Sequence, residues 1–299
     1  MAHKFLAVGN ITKDELILKS GKFISFGGTS YSAIAATRLG YKAHILCRSN
    51  HEIDPWVKRL NEEGIHVEVQ PDKHLTFFIN DYSFGERQQL LLEHTRKIVY
   101  KSSEKMDIIH FNPMFGEINL ESIKKARKNC EILSLDVQGL VRTTKNKKVI
   151  GKFWSKREEF LKYIDFLKVG KNEINLVSRK KSYREICEEL SSMGAKVVAL
   201  TLGEKGSIVF KEDYYEIPAY KTEEIDPTGA GDVYATAFAI RYFETKDALN
   251  SGLFASASAS FVVEDFGPKN IASREKVEER YKKLKEVYEK REKLKNKRA

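Results

Sequence analysis

The sequence predicts an α/β fold, a mostly parallel sheet covered by helices on both faces, with a small β-sheet set aside as a lid. Three observations predict it. From residue 107 onward, short apolar strands alternate with amphipathic helices, the rhythm of a parallel sheet built from β-α-β units. Earlier, segments with alternating or interrupted apolar residues break that rhythm and read as antiparallel strands outside the main sheet. No low-complexity linker or internal repeat divides the 299 residues. We therefore expect one domain over 1–299, with a lid from segments 11–26 and 66–99 and a charged C-terminal helix over 273–299.

Element by element, Lys4–Val8 is a buried strand ending at Gly9-Asn10, and 11–26 is a strand excursion from the core. Gly27-Gly28 leads into the Ala-rich helix Ser30–Leu39, closed by Gly40. Ala43–Cys47 is a strand, and Asp54-Pro55 starts a helix with Asp as N-cap and Pro in the first turn, ending at Gly64. His66–Gln70, Leu75–Asp81 and Arg87–Glu93, with a turn at Tyr82-Ser83-Phe84-Gly85, are the expected lid strands. Strands at Asp107–Phe111, Ile132–Asp136, Asp165–Val169 and Lys196–Leu200 alternate with helices at Leu120–Asn129, Ser155–Tyr163 and, from the capping box Ser182-x-x-Glu185, to Met193. Ser207–Phe210 and Tyr214–Ile217 form a hairpin. Three helices finish the chain, at Gly229–Tyr242, Lys246–Glu264 and Ser273–Lys293.

Composition limits the function classes. An apolar content of 41% with 31% charged residues is globular. No apolar run reaches the roughly 20 residues of a membrane span, and no signal peptide precedes the first strand, so a cytoplasmic location is expected. Cys47, Cys130 and Cys187 are scattered and odd in number, as in reduced, buried thiols. The net charge of +10 is concentrated at one end, since residues 273–299 hold twelve Lys or Arg against six Glu. The body is close to balanced, which argues against a nucleic-acid surface. The stripe Val277, Tyr281, Leu284 and Tyr288 explains the C-terminal helix as an amphipathic element with a solvated outer side.

The most informative stretch is Asp226-Pro227-Thr228-Gly229-Ala230-Gly231-Asp232, opening onto the apolar run Val233–Ile240. It reads as a tight loop entering a buried helix, with Thr228 able to cap it and small residues leaving backbone N–H groups uncovered. Such a helix start binds anions. A carboxylate there, Asp232, suits a loop that transfers phosphate: an attacking hydroxyl must be aligned and must lose its proton. G-x-x-x-x-G-K-[ST], G-x-G-x-x-G after the first strand, H-E-x-x-H and G-x-S-x-G are all absent. Thr201-Leu202-Gly203-Glu204-Lys205-Gly206 closes a buried strand with a glycine turn, where ligands bind in open α/β sheets. Asn112 and the segment Asp136–Arg142 follow strands at the same edge, with groups suited to a polyol, and Arg142 can face a phosphate or carboxylate.

With these motifs in this order, the chain resembles the ribokinase-like (PfkB) carbohydrate kinases along essentially its whole length, through D-x-x-G-A-G-D at Asp226–Asp232. The resemblance implies a three-layer αβα ribokinase-like fold and ATP-dependent phosphorylation of a hydroxyl on a sugar, an inositol-like polyol or a sugar acid. By analogy Asp232 is the catalytic base, and the amides of Gly229, Ala230 and Gly231 form the anion hole. Thr201, Gly203, Gly206 and Asn172 would contact the nucleotide. Asp14, Gly27, Gly28, Asn112, Asp136, Gln138 and Arg142 would surround the acceptor, the di-glycine acting as the lid hinge. Thr29-Ser30-Tyr31-Ser32 replaces the family's G-x-N, so the acceptor is not read as ribose is; segments 112–113 and 136–142 resemble the branch acting on inositol and keto-sugar acids. The family's N-x-x-E segment is altered, Asn172 being followed by Asn175 in place of the acid, which leaves Glu173 to assist Mg²⁺. Asp226 and Thr228 match positions that help bind a monovalent cation such as K⁺ in some relatives. A homodimer through the lid edge is the expected partnership. Two other readings stay open: a nucleoside kinase, with Phe77, Phe78 or Tyr82 stacking on a base, and a non-catalytic sugar-sensing or nucleic-acid-binding relative.

Overall fold

The computed structural model describes residues 2–19, 21–83 and 88–297. The chain opens with β1 (Lys4–Val8), the hairpin β2 (Thr12–Leu18) and β3 (Gly21–Phe26), then α1 (Ser30–Arg38), β4 (Lys42–Ser49), α2 (Asp54–Glu62) and β5 (His66–Pro71). β6 (Thr76–Asp81), β7 (Gln88–Glu93), β8 (Met106–Phe111), α3 (Leu120–Arg127) and β9 (Cys130–Asp136) follow. Next come β10 (Arg142–Lys145), β11 (Lys148–Gly151), α4 (Arg157–Leu161), β12 (Phe166–Gly170), α5 (Ile174–Val177) and α6 (Tyr183–Ser192). The chain ends with β13 (Val197–Thr201), β14 (Ser207–Phe210), β15 (Tyr214–Ile217), α7 (Ala230–Thr245), α8 (Ala248–Val262) and α9 (Arg274–Asn296).

Nine strands form the main sheet in the order β15-β14-β13-β12-β9-β8-β1-β4-β5, parallel except for the terminal β14–β15 hairpin. Both faces are covered, and β1 shows why its apolar run is unbroken. Phe5 and Ala7 join the core that includes Val233, Phe238 and Phe254, while Leu6 and Val8 join the core of the opposite face with Ile123 and Leu190. α7 is apolar all round because it is buried between the sheet and α8; Phe238 stacks on Phe166 with ring centroids 4.0 Å apart. That central packing fixes the helix whose first turn carries Asp232. α9 lies on α8 through buried Val277, Leu284 and Tyr288, and half-buried Tyr281 donates to Asn250 Oδ1 at 2.6 Å.

The lid differs from expectation in three ways. β5 is not a lid strand: it pairs in parallel with β4, His44 opposite His66 through Ser49 opposite Pro71. It follows α2 in a β-α-β crossover, which returns to the same sheet, and its alternating pattern is that of a half-buried edge strand. The lid is not wholly antiparallel either, since β2 pairs in parallel with β6, Thr12 opposite Thr76. Its six strands run β10-β11-β7-β6-β2-β3, so residues 142–151 contribute a hairpin that begins at the last residue of the expected polar segment 136–142 and lies where no strand was expected. Asn146 and Lys147 turn that hairpin with φ of +50° and +64°, the left-handed pair a two-residue turn demands. Residues 94–105 form no strand. Phe84, Gly85 and Arg87, from the expected turn and strand start, lie outside the described residues, as do the last two of the basic tail.

One helix start is also corrected. Asp54 lies within α2 and is not its cap; Asn50 accepts from Glu52 N–H and caps a short 3-10 turn that runs into the helix. The capping box at Ser182 and Glu185 forms as expected. Cys47 and Cys187 are buried and Cys130 half-buried, all as free thiols. Among the described residues no helix is long and apolar enough to cross a membrane.

Candidate active site

The loop before α7 is built around Gly229, which occupies the N-cap position at φ +84°. Thr228 does not cap the helix, as its side chain makes no capping bond. Its N–H instead donates to Asp226 Oδ1 at 3.0 Å and closes the loop. A β-carbon on Gly229 would stand 2.2 Å from Cδ1 of Tyr31, so the ring presses directly on the loop backbone. The same ring reaches the di-glycine, where a β-carbon on Gly27 would lie 3.4 Å from its Cε2. Ala230 N–H turns back to the Pro227 carbonyl at 3.2 Å, so it is engaged inside the loop, contrary to the expected three-amide hole. Gly231 and Asp232 belong to the first helical turn, where N–H groups have no intrahelical acceptor.

Asp232 is held by Asn112 at the end of β8. Asn112 Nδ2 donates to Asp232 Oδ1 at 2.9 Å and to Ser32 Oγ at 3.2 Å, and the residue is fully buried. Asn112, expected to contact an acceptor, does not line the cavity: it positions the carboxylate. Burial first, and the nearby Asp136 second, push the Asp232 carboxyl up to about 7 against the opposing pull of Lys168, Asn112 and Arg142. A carboxyl group of that affinity is half-ionised near neutrality. With Asp232 as the base proposed below, its protonated form cannot accept a proton, and kcat/KM is expected to fall as pH drops through about 7. A pH–rate profile whose acidic limb instead lies near 4, the range of a solvated carboxylate, would contradict this environment.

A cavity of about 250 Å³ opens in front of Asp232. Gly27, Gly28, Gly229 and Gly231 form one side of it, and Asp14, Gln138 and Arg142 stand around the rest. The lid supplies a polar roof that the sequence did not single out. Gln89 Nε2 donates to Asn80 Oδ1 at 2.8 Å, Asn80 Nδ2 donates to Asp14 Oδ1 at 2.9 Å, and Thr12 Oγ1 donates to Asp14 Oδ2 at 2.6 Å. Arg142 Nη1 donates to the Met114 carbonyl at 3.1 Å while its guanidinium lies over Phe78. Asp136 reaches the cavity wall with both oxygens engaged, Oδ1 by Gln138 N–H at 3.0 Å and Oδ2 by Lys168 Nζ at 2.9 Å.

On the other side of the loop lies a larger cavity of about 800 Å³. Thr201, Gly203 and Gly206 line it together with Tyr220, Lys221 and Ala230, and Gly231 borders both cavities. Asn172 is not among them: it is exposed on the surface, and Lys171 takes its place at the rim. Glu173 turns inward, accepting from Gly170 N–H at 2.5 Å with Lys168 Nζ at 3.9 Å. Asn175 is exposed. Among the described residues no group of three His, Cys, Asp or Glu side chains is disposed to hold a metal. Sequence reading missed Lys168, Tyr31, Asn80 and Gln89; a signal existed for Lys168, a charge inside an otherwise apolar central strand.

A mostly parallel α/β sheet, a separate lid and an acid-bearing anion loop between two cavities define the ribokinase-like class. A solved pyrophosphate-dependent kinase of the ribokinase family, complexed with a pyrophosphate analog and myo-inositol, matches with a TM-score of 0.81 at 27% identity over 92% of this chain and 99% of that one. The sequence profile of the pfkB family carbohydrate kinases matches residues 27–275. The chain belongs to the pfkB family of carbohydrate kinases. It is 45% identical over 89 residues to a nucleoside kinase of Methanothermobacter thermautotrophicus, 27% of this chain and 29% of that protein. To the nucleoside kinase of Methanocaldococcus jannaschii it is 35% identical over 181 residues, 59% of this chain and 56% of that one. The matches thus span under a third and just over half of these two curated relatives.

Proposed function

We propose that the protein transfers a phosphoryl group from ATP to a hydroxyl of a polyhydroxylated small molecule, a sugar, an inositol-like polyol or a sugar acid. The observation that carries this reading is Asp232, a carboxylate of raised proton affinity beside the loop that borders both an acceptor-sized and a donor-sized cavity. The acceptor would lie under the Asp14–Asn80–Gln89 roof, whose carboxylate accepts hydroxyl protons in fixed directions. The nucleotide would occupy the larger cavity against Thr201, Gly203 and Gly206. Mg²⁺ fits this donor set only through the phosphates and water, since it keeps most of its hydration and asks for one or two carboxylates at most. When bound, it would neutralise phosphate charge. Asp226 already spends one oxygen on Thr228 N–H, and a K⁺ ion would use the other.

A second reading, a nucleoside acceptor, is favoured by the two relatives named nucleoside kinases and by Phe78 at the cavity wall. A panel of sugars, inositols, sugar acids and nucleosides, assayed for product with ATP and with pyrophosphate as donors, separates the readings. Turnover of polyols with ATP and not of nucleosides supports the first; preferred nucleosides move the assignment to the second. No turnover with any pair, joined to salt-sensitive nucleic-acid binding lost on deleting 289–299, would replace both with a non-catalytic role.

The proposed partnership is a second copy along the lid edge. β3 is the outermost lid strand, and Phe23 and Ile24 on it are 50% and 56% exposed. Phe23→Lys is expected to convert a dimer to a monomer in light scattering; an unchanged mass would place any dimer contact elsewhere.

A further inference from the structure

Lys168 is a buried ammonium that the roles above do not use. It sits on β12, in the middle of the main sheet, with its side chain only 5% exposed. Its neighbours on the strand, Leu167 and Val169, face the opposite apolar core. Nζ donates to Asp136 Oδ2 at 2.9 Å and has Glu173 Oε2 at 3.9 Å. It also reaches the acceptor cavity and lies beneath the anion loop: a β-carbon on Gly231 would stand 3.0 Å from Nζ and 3.4 Å from Cε. The absent side chain at Gly231 is what leaves this ammonium in view of the helix start.

We infer that Lys168 is a further catalytic residue, contacting an oxygen of the phosphoryl group as it crosses from donor to acceptor past Gly231. The inference rests on the kinase reading above. Three features carry it. An ammonium has three N–H groups, and the short contact to Asp136 occupies one. A buried ion pair is a poor source of stability compared with apolar packing, so stability alone gives little reason for one in this strand. Finally, Nζ lies at contact distance below Gly231, the residue that borders both cavities, with the Asp232 carboxylate among the charges that act on it. In the transfer step the acceptor hydroxyl oxygen bonds to the γ-phosphorus and its proton passes to Asp232. The bond from that phosphorus to the β–γ bridging oxygen breaks, releasing ADP. Throughout, the transferred group keeps its negative charge, and Lys168 meets that charge from below while the loop amides meet it from the helix end.

The test compares the wild type with Lys168→Met and with Lys168→Met/Asp136→Asn, the second of which removes the charge of the hydrogen-bonded partner together with that of the lysine. Each is assayed for kcat, for thermal unfolding, and for calorimetric affinity toward ADP alone and ADP with aluminium fluoride and acceptor, a mimic of the group in transit. Both variants are expected to lose about 100-fold or more in kcat, the worth of one preorganised donor. ADP affinity stays within threefold, and the extra tightening from aluminium fluoride disappears. A purely structural lysine would leave that tightening intact. Folded variants that keep it, or keep kcat within fivefold of wild type, overturn the inference. If the single variant does not fold, the double variant decides by the same criteria. A wild type that transfers phosphate to no acceptor overturns the kinase reading itself, whereas an active wild type with equally active variants overturns only the role of Lys168.

Discussion

Asp232→Asn is expected to lower kcat by roughly 10²–10⁴-fold, the usual worth of a positioned general base. The amide oxygen can still accept from Asn112, so the geometry of the loop is kept while the proton acceptor is lost. ADP and ATP affinities should change little, because the larger cavity does not include this side chain. The substitution also has a stability signature. Burial and Asp136 favour the protonated form of Asp232, so at pH above its raised value of about 7 the ionised carboxylate costs folding free energy. Removing that charge should leave Tm equal to or above that of the wild type at pH 8. A variant with a near-wild-type rate would sink the assignment of the base. A variant that is inactive and also strongly destabilised would show that Asp232 serves the fold instead.

Gly229→Ala should be the most damaging one-carbon change in the loop. Its φ of +84° is left-handed, and the new methyl would meet Cδ1 and Cε1 of Tyr31 at 2.2 and 2.3 Å. The backbone strain alone is worth about 1–3 kcal/mol. The clash must be relieved by moving the ring or the loop, and either movement disturbs the amides proposed to face the transferred group. We expect kcat to fall roughly 100-fold, as on loss of one oxyanion donor. Adding Tyr31→Ala removes the clash and leaves the φ strain, so the double variant should regain part of the lost Tm without regaining the rate. Wild-type Tm and kcat in Gly229→Ala would mean that the loop is free to relax, and the described contact would then be irrelevant.

The sequence exposed the parts of this protein that depend on local patterns. The alternation after residue 107 predicts β8, β9, β12 and β13 to within two residues at each end, and the β14–β15 hairpin exactly as it falls in the residue order. The loop at 226–232 was legible because glycine and small residues at a helix entry have few other uses. Pairing was less legible. β5 alternates like a solvent-facing lid strand, and only the crossover through α2 shows that it borders β4. The β10–β11 turn, Asn146-Lys147, lacks the glycine that usually betrays a two-residue hairpin. Side-chain direction was least legible of all. Nothing in the residue order shows that Glu173 turns under the sheet while Asn172 stays outside, or that Asn112 spends its amide on Asp232. Those facts depend on contacts between residues as far apart as 112 and 232.

Tyr31 touches two places that must act in sequence. Its ring lies against Gly229 at the catalytic loop and against Gly27 at the root of the lid, so the two are geared to one another through a single rigid plate. Any displacement at Gly27-Gly28 would meet the same ring that presses on Gly229. We expect the loop and the lid root to respond together to a bound acceptor, because one ring is packed against both. Uncoupling the two, with Tyr31→Ala, should show itself as futile loss of the donor to water, a fault in timing with the chemistry left whole.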